Sequence, residues 1–142
     1  MRLLRTLALA LLGAAALALP AGAGSAPFVH GGGATADMTR FALAIDGGRG
    51  HFECLMPALM NVQATVTAID SIDATSAAFH GTASVTLATA NPFGLPAGPL
   101  ARGVHFTATA TAGGPGAGRL DLKILGLDFP GTVEHGQITI GP

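Results

Sequence analysis

His51 and Glu53 stand two residues apart in the stretch His51-Phe52-Glu53-Cys54-Leu55-Met56. In an extended strand that spacing puts both on one face, with Phe52, Cys54 and Met56 on the other. An imidazole and a carboxylate side by side suit a borderline divalent metal such as Zn²⁺ or Cu²⁺. His80 and His105 fall on the polar faces of two further strand-like stretches. His51, Glu53, His80 and His105 therefore make a candidate metal set, provided neighbouring strands align them. No H-x-H or H-E-x-x-H spacing ties them together, so scattered polar-face histidines are the simpler expectation.

Other chemistry is thinner. Cys54 is the only cysteine, so no internal disulfide can form. It shares the apolar face of Phe52 and Met56, which predicts a buried, inert thiol. No G-x-S-x-G elbow occurs, and none of Ser25, Ser71, Ser76 and Ser84 adjoins a histidine. A triad assembled from distant residues would be set by geometry and is not legible here. Asp70 and Asp73 offer too few oxygens for Ca²⁺ and read as an Asx turn. Nothing identifies an enzyme, and no cofactor is expected.

Elements must hold these residues. Met1-Arg2-Leu3-Leu4-Arg5 is a basic leader, Leu7 to Leu19 an apolar run, and Ala21-Gly22-Ala23 a small-residue cleavage site after Pro20. Together they read as a signal peptide over 1–23. The apolar run falls short of the roughly 20 residues of a membrane span. The mature chain is expected to be secreted or periplasmic, with no transmembrane segment. Residues 24–34 are rich in Gly and Ala and read as a flexible arm with His30 in solvent. Residues 35–142 form one β-domain, long enough for a core of its own.

Within that domain the period is two. Phe41, Leu43 and Ile45 alternate with small or polar residues. Asp46-Gly47-Gly48-Arg49-Gly50 turns the chain back into His51–Met56 as a hairpin. Val62, Ala64, Val66 and Ala68 share the next apolar face. Asp70 to Asp73 is read as a turn. Phe79, Gly81, Ala83, Val85 and Leu87 follow on a long strand, then Val104, Phe106, Ala108 and Ala110, then Leu120, Leu122 and Ile124, and finally Ile138 and Ile140. About seven or eight strands with short connections predict an all-β fold, a single up-and-down antiparallel β-barrel, with a β-sandwich as the alternative.

Asn91 to Pro99 holds three prolines and two glycines and must be a loop. Phe93 and Leu95 in it, with Leu127 and Phe129 further on, are candidate partner-binding residues. They either form an exposed apolar patch or fold over a barrel mouth, and the second is preferred.

Composition excludes several roles. After residue 23 five basic and eight acidic side chains leave a formal charge of −3. Without a basic stripe the chain is a poor ligand for nucleic acid or anionic lipid. It has no Trp and no Tyr, which weakens a sugar-binding role that would rest on aromatic platforms.

The order Gly50-His51-Phe52-Glu53-Cys54-Leu55-Met56, Val66-Thr67, Phe79-His80-Gly81-Thr82-Ala83, Gly113-Gly114-Pro115-Gly116-Ala117-Gly118 and Gly136-Gln137-Ile138-Thr139-Ile140 resembles small exported bacterial proteins of the post-COAP type. The resemblance implies a compact secreted β-domain and carries over no catalytic or binding residue. The expected function is a non-enzymatic structural or binding role toward another exported protein or a cell-surface component. The alternative is a small-ligand or metal carrier using a barrel mouth or the His51/Glu53 face.

Overall fold

The computed structural model describes residues 26–142. The segment read as a signal peptide over 1–23 lies outside them. Nine strands occur among the described residues: β1 Phe28–Thr35, β2 Arg40–Asp46, β3 Arg49–Met56, β4 Met60–Ile72, β5 Ser76–Leu87, β6 Gly98–Thr111, β7 Arg119–Ile124, β8 Leu127–Phe129 and β9 Val133–Gly141. All neighbours pair antiparallel in the order β8-β7-β6-β5-β4-β3-β2-β1-β9. The sheet curls into a half-barrel. Backbone hydrogen bonds between Gly113 and Ile138, and between Gly118 and Val133, draw β9 toward the turn that joins β6 to β7. The fold is thus all-β and barrel-like, with a meander of hairpins as the two-residue period requires. No helix is long and apolar enough to cross a membrane among these residues.

The inward face is apolar and filled. Phe41, Phe52, Phe79 and Phe106 are all buried. The ring centroids of Phe52 and Phe106 lie 6.0 Å apart, and those of Phe79 and Phe106 6.5 Å, within the range of favourable tilted contacts. Cys54 is buried beside Phe52 and Met56, as its face predicted.

Three sequence expectations are corrected. The first concerns the glycine-rich segment read as a flexible arm. Residues 28–35 form β1, paired with β2 on one side and β9 on the other. Glycine serves close approach here: a Cβ at Gly33 would stand 1.9 Å from the His135 carbonyl oxygen. Two flanking strands satisfy the backbone, and that outweighs the entropy glycine loses on ordering. His30 is not merely solvated, since its Nε2 lies 2.8 Å from Asp46 Oδ1.

The second concerns β4. Its register with β5 slips between Val66 and Ala68 and again between Ile69 and Ser71. Each slip is a bulge, with Thr67 and Asp70 as the unpaired residues. Ala68 is therefore opposite His80 on the outer face, and Ile69 opposite Phe79 turns inward. The simple alternation that placed Ala68 inside fails at the first bulge. The third correction follows: Asp70 to Ile72 are strand, and the turn begins at Asp73. The Asp73 carboxylate accepts from the backbone amides of Thr75 and Ser76 at 2.8 and 2.9 Å.

Gly81 lies opposite Val66, the last regularly paired residue before the first bulge. It faces inward opposite Val66 and Phe106, and a Cβ there would meet the Thr65 carbonyl oxygen at 1.9 Å. Glycine in a strand interior permits such backbone approach where a sheet coils.

Candidate functional site

The polar candidates all lie on the outer face of the half-barrel, on the side of the sheet opposite Phe41, Phe52, Phe79 and Phe106. β3 presents His51 and Glu53. His51 pairs with Thr65, Thr65 with Thr82, and Thr82 with His105, so all four occupy one cross-strand row. Three strand steps separate the two histidines, about 14 Å at the usual spacing of about 4.8 Å. His51 and His105 therefore cannot share an ion. Glu53 faces Arg40 across the β2–β3 pair at 3.7 Å, an exposed contact of small energetic weight.

His51 and Glu53 instead border an open depression of about 580 Å³ with Ala42, Ala44, Gln63 and Thr65. Ala42 and Ala44 of β2 contribute only short side chains to its lining. Of the charged side chains, only Glu53 lines it.

His80 and His105 come together. His80 is directly opposite Thr107, and His105 opposite Thr82, so the two histidines are diagonal neighbours. Diagonal pairs remain within reach for long or aromatic side chains. Their ring centroids are 5.8 Å apart, tilted by 45°. Behind His80, the Asp70 carboxylate lies 2.7 Å from Nδ1. The second bulge of β4 aims Asp70 there, and Thr67 of the first bulge donates its hydroxyl to the His80 carbonyl at 3.5 Å.

The four metal candidates thus separate into His51/Glu53 on β3 and His80/His105 on β5 and β6. Among the described residues no group of three or more His, Cys, Asp and Glu side chains is placed to hold a metal ion. Asp70, read from sequence as a turn residue, is the partner that the residue pattern did not reveal. A bulge has no signature in the alternation of apolar and polar residues until the register of both strands is known.

Among the described residues two titrations are displaced by their surroundings. Burial pushes the Cys54 thiol up from 9.0 to about 12, with the neighbouring Glu53 charge adding to it. A thiol so held is neutral at physiological pH and a poor nucleophile or ligand. The Asp73 carboxyl is held below its ordinary range, first by the Thr75 amide and then by the Ser76 amide.

The apolar candidates also separate. Leu127 pairs with Ile124 and Phe129 with Leu122, so both turn inward and pack against the core. Phe93 and Leu95 stay outside, 40% and 45% exposed. Asn91 fixes their loop: its Nδ2 donates to the carbonyls of Ala88 and Leu95, and its Oδ1 accepts from the Phe93 and Leu95 amides. The sequence put the four residues in one class, and packing divides them.

No family model matches the chain, and neither does any curated protein or solved structure.

Proposed function

We propose that this chain is an exported, non-enzymatic structural or binding module that works through its outer surface. The observation that carries the reading is the filled interior. Inward-facing side chains from β1 to β7 and β9 form one apolar cluster, with Leu127 and Phe129 of β8 packed against it. A carrier of the barrel-mouth kind needs an enclosed cavity, commonly about 300–1,000 Å³. The depression beside His51 and Glu53 is instead open and lies on the outside. Cys54, the strongest nucleophile by type, is buried and kept protonated. Phe93 and Leu95, held outward by the Asn91 staple, are the apolar contacts offered to another exported protein or a cell-surface component. The leader over 1–23 supports a secreted or periplasmic location, and the likeness to the post-COAP type agrees with a compact exported domain.

The test is native mass spectrometry of the chain purified from an exported fraction, beside titration with an apolar fluorophore. The expected result is a mass with no retained organic molecule and no saturable one-to-one fluorophore binding. A stoichiometric organic adduct, or a saturable fluorophore site, would sink the surface-module reading in favour of a carrier.

A further inference from the structure

We propose that His80 and His105 form a two-histidine site for one borderline divalent metal ion, Cu²⁺ ahead of Zn²⁺, with Asp70 as the positioning residue behind His80. This goes beyond the surface-module reading and does not depend on it.

The argument starts from the two bulges in β4. An unbroken ladder would place no carboxylate behind His80. With Asp70 as the unpaired residue of the second bulge, its Oδ1 reaches His80 Nδ1 at 2.7 Å. An ionised carboxylate only accepts hydrogen bonds, so Nδ1 carries the hydrogen. In the neutral ring this leaves the Nε2 lone pair free and fixes the ring plane. A carboxylate behind a histidine is the recurring support of metal-ligating imidazoles, which it orients and makes more basic.

The second ligand is within reach. Two imidazoles sharing one ion at Zn–N distances of about 2.0–2.1 Å hold their centroids roughly 5–6 Å apart. His80 and His105 are at 5.8 Å already. Both lie on the outer face, the His80 side chain 33% exposed, so water can complete the coordination. Lys123 stands opposite Thr107 in the His80 row, and Asp128 opposite Lys123. Two nitrogen ligands with open positions favour Cu²⁺, which heads the divalent affinity order for such donors. His51 is two strand steps from His80 and three from His105, and His30 is engaged with Asp46 on the opposite side of the sheet order.

The experiment is titration of the purified chain with Cu²⁺ against a competing chelator, followed by electron paramagnetic resonance. The expected result is one equivalent per chain with nitrogen hyperfine structure. His80→Ala and His105→Ala should each weaken binding at least about tenfold, and Asp70→Ala roughly 10-fold to 100-fold with the stoichiometry kept. His51→Ala should leave affinity unchanged. Circular dichroism confirms that each variant is folded, and His80→Gln and Asp70→Asn serve if an alanine variant is not. Wild-type affinity in His105→Ala, or an equal loss in His51→Ala, overturns the site. Unchanged affinity in Asp70→Ala overturns the positioning role.

Discussion

The outer face over β2–β4 and the outer face over β4–β6 are built from the same materials and behave differently. Both carry histidine, threonine and one nearby carboxylate on antiparallel strands. Over β2–β4 the ladder is regular: each residue from Arg40 to Asp46 opposes one residue of β3, and Gly50 to Met56 oppose Val66 to Met60 without a slip. His51 and Glu53 there stay parallel and apart, and Glu53 turns to Arg40. Over β4–β6 two extra residues in β4 break the ladder. One of them, Asp70, is free of the alternation and swings onto His80. A regular strand lays side chains out at fixed intervals, whereas a bulge can converge them.

The largest effect expected from breaking that contrast is at Gly81→Ala. The added methyl would overlap the Thr65 carbonyl beside the first bulge, costing about 3 kcal/mol as overpacking does at its upper end. Thermal unfolding should show the loss. A midpoint unchanged from the parent would mean that the bulged half yields more easily than the geometry requires.

Next is Cys54, beneath the regular face. A hydroxyl in place of the thiol would lie unpaired among Phe52, Met56 and their neighbours, so Cys54→Ser should cost about 1–3 kcal/mol. The native thiol should resist an aromatic disulfide reagent at pH 8 and react fully in denaturant. Its folded pKa lies above its unfolded one, so this group favours the folded state below about pH 9.0, and that contribution is lost as pH rises toward about 12. Rapid labelling of the folded chain at pH 8 would contradict the burial.

The smallest effect is at Asp73, which ends the bulged strand. Its carboxyl titrates below the ordinary value of 3.8, so its contribution is present above that pH and fades as pH falls through the folded value. Asp73→Asn should lower stability slightly at neutral pH, with the difference from the parent shrinking in acid. A gap that stays constant across pH 2–7, an interval that brackets roughly the carboxylate range, would show that the ionised form plays no part in the turn.

Most of the strands, most of their inward residues and the all-β, barrel-like class were legible because burial on one face imposes a period of two. Phe52, Cys54, Phe79, Val85 and Phe106 all fall where alternation put them. The first strand was not legible, since Gly31-Gly32-Gly33 carries no pattern, and its order comes from pairing with β2 on one side and with β9, about a hundred residues away, on the other. Phe129 illustrates the same divide: its type suggested either an exposed patch or a cover, and pairing with Leu122 turned it inward.

The candidate site was legible by halves. His80 and His105 could be assigned to polar faces from sequence, but their meeting depended on the register of β5 against β6. Asp70 was read as a turn residue, and only the slip of β4 against β5 placed it behind His80. Local alternation, hydrophobic burial and glycine-rich turns are properties of short stretches, and the amino-acid order determined them. Register, bulges and the approach of side chains from residues 70, 80 and 105 arise only when whole strands settle against one another, so the tertiary structure decided them.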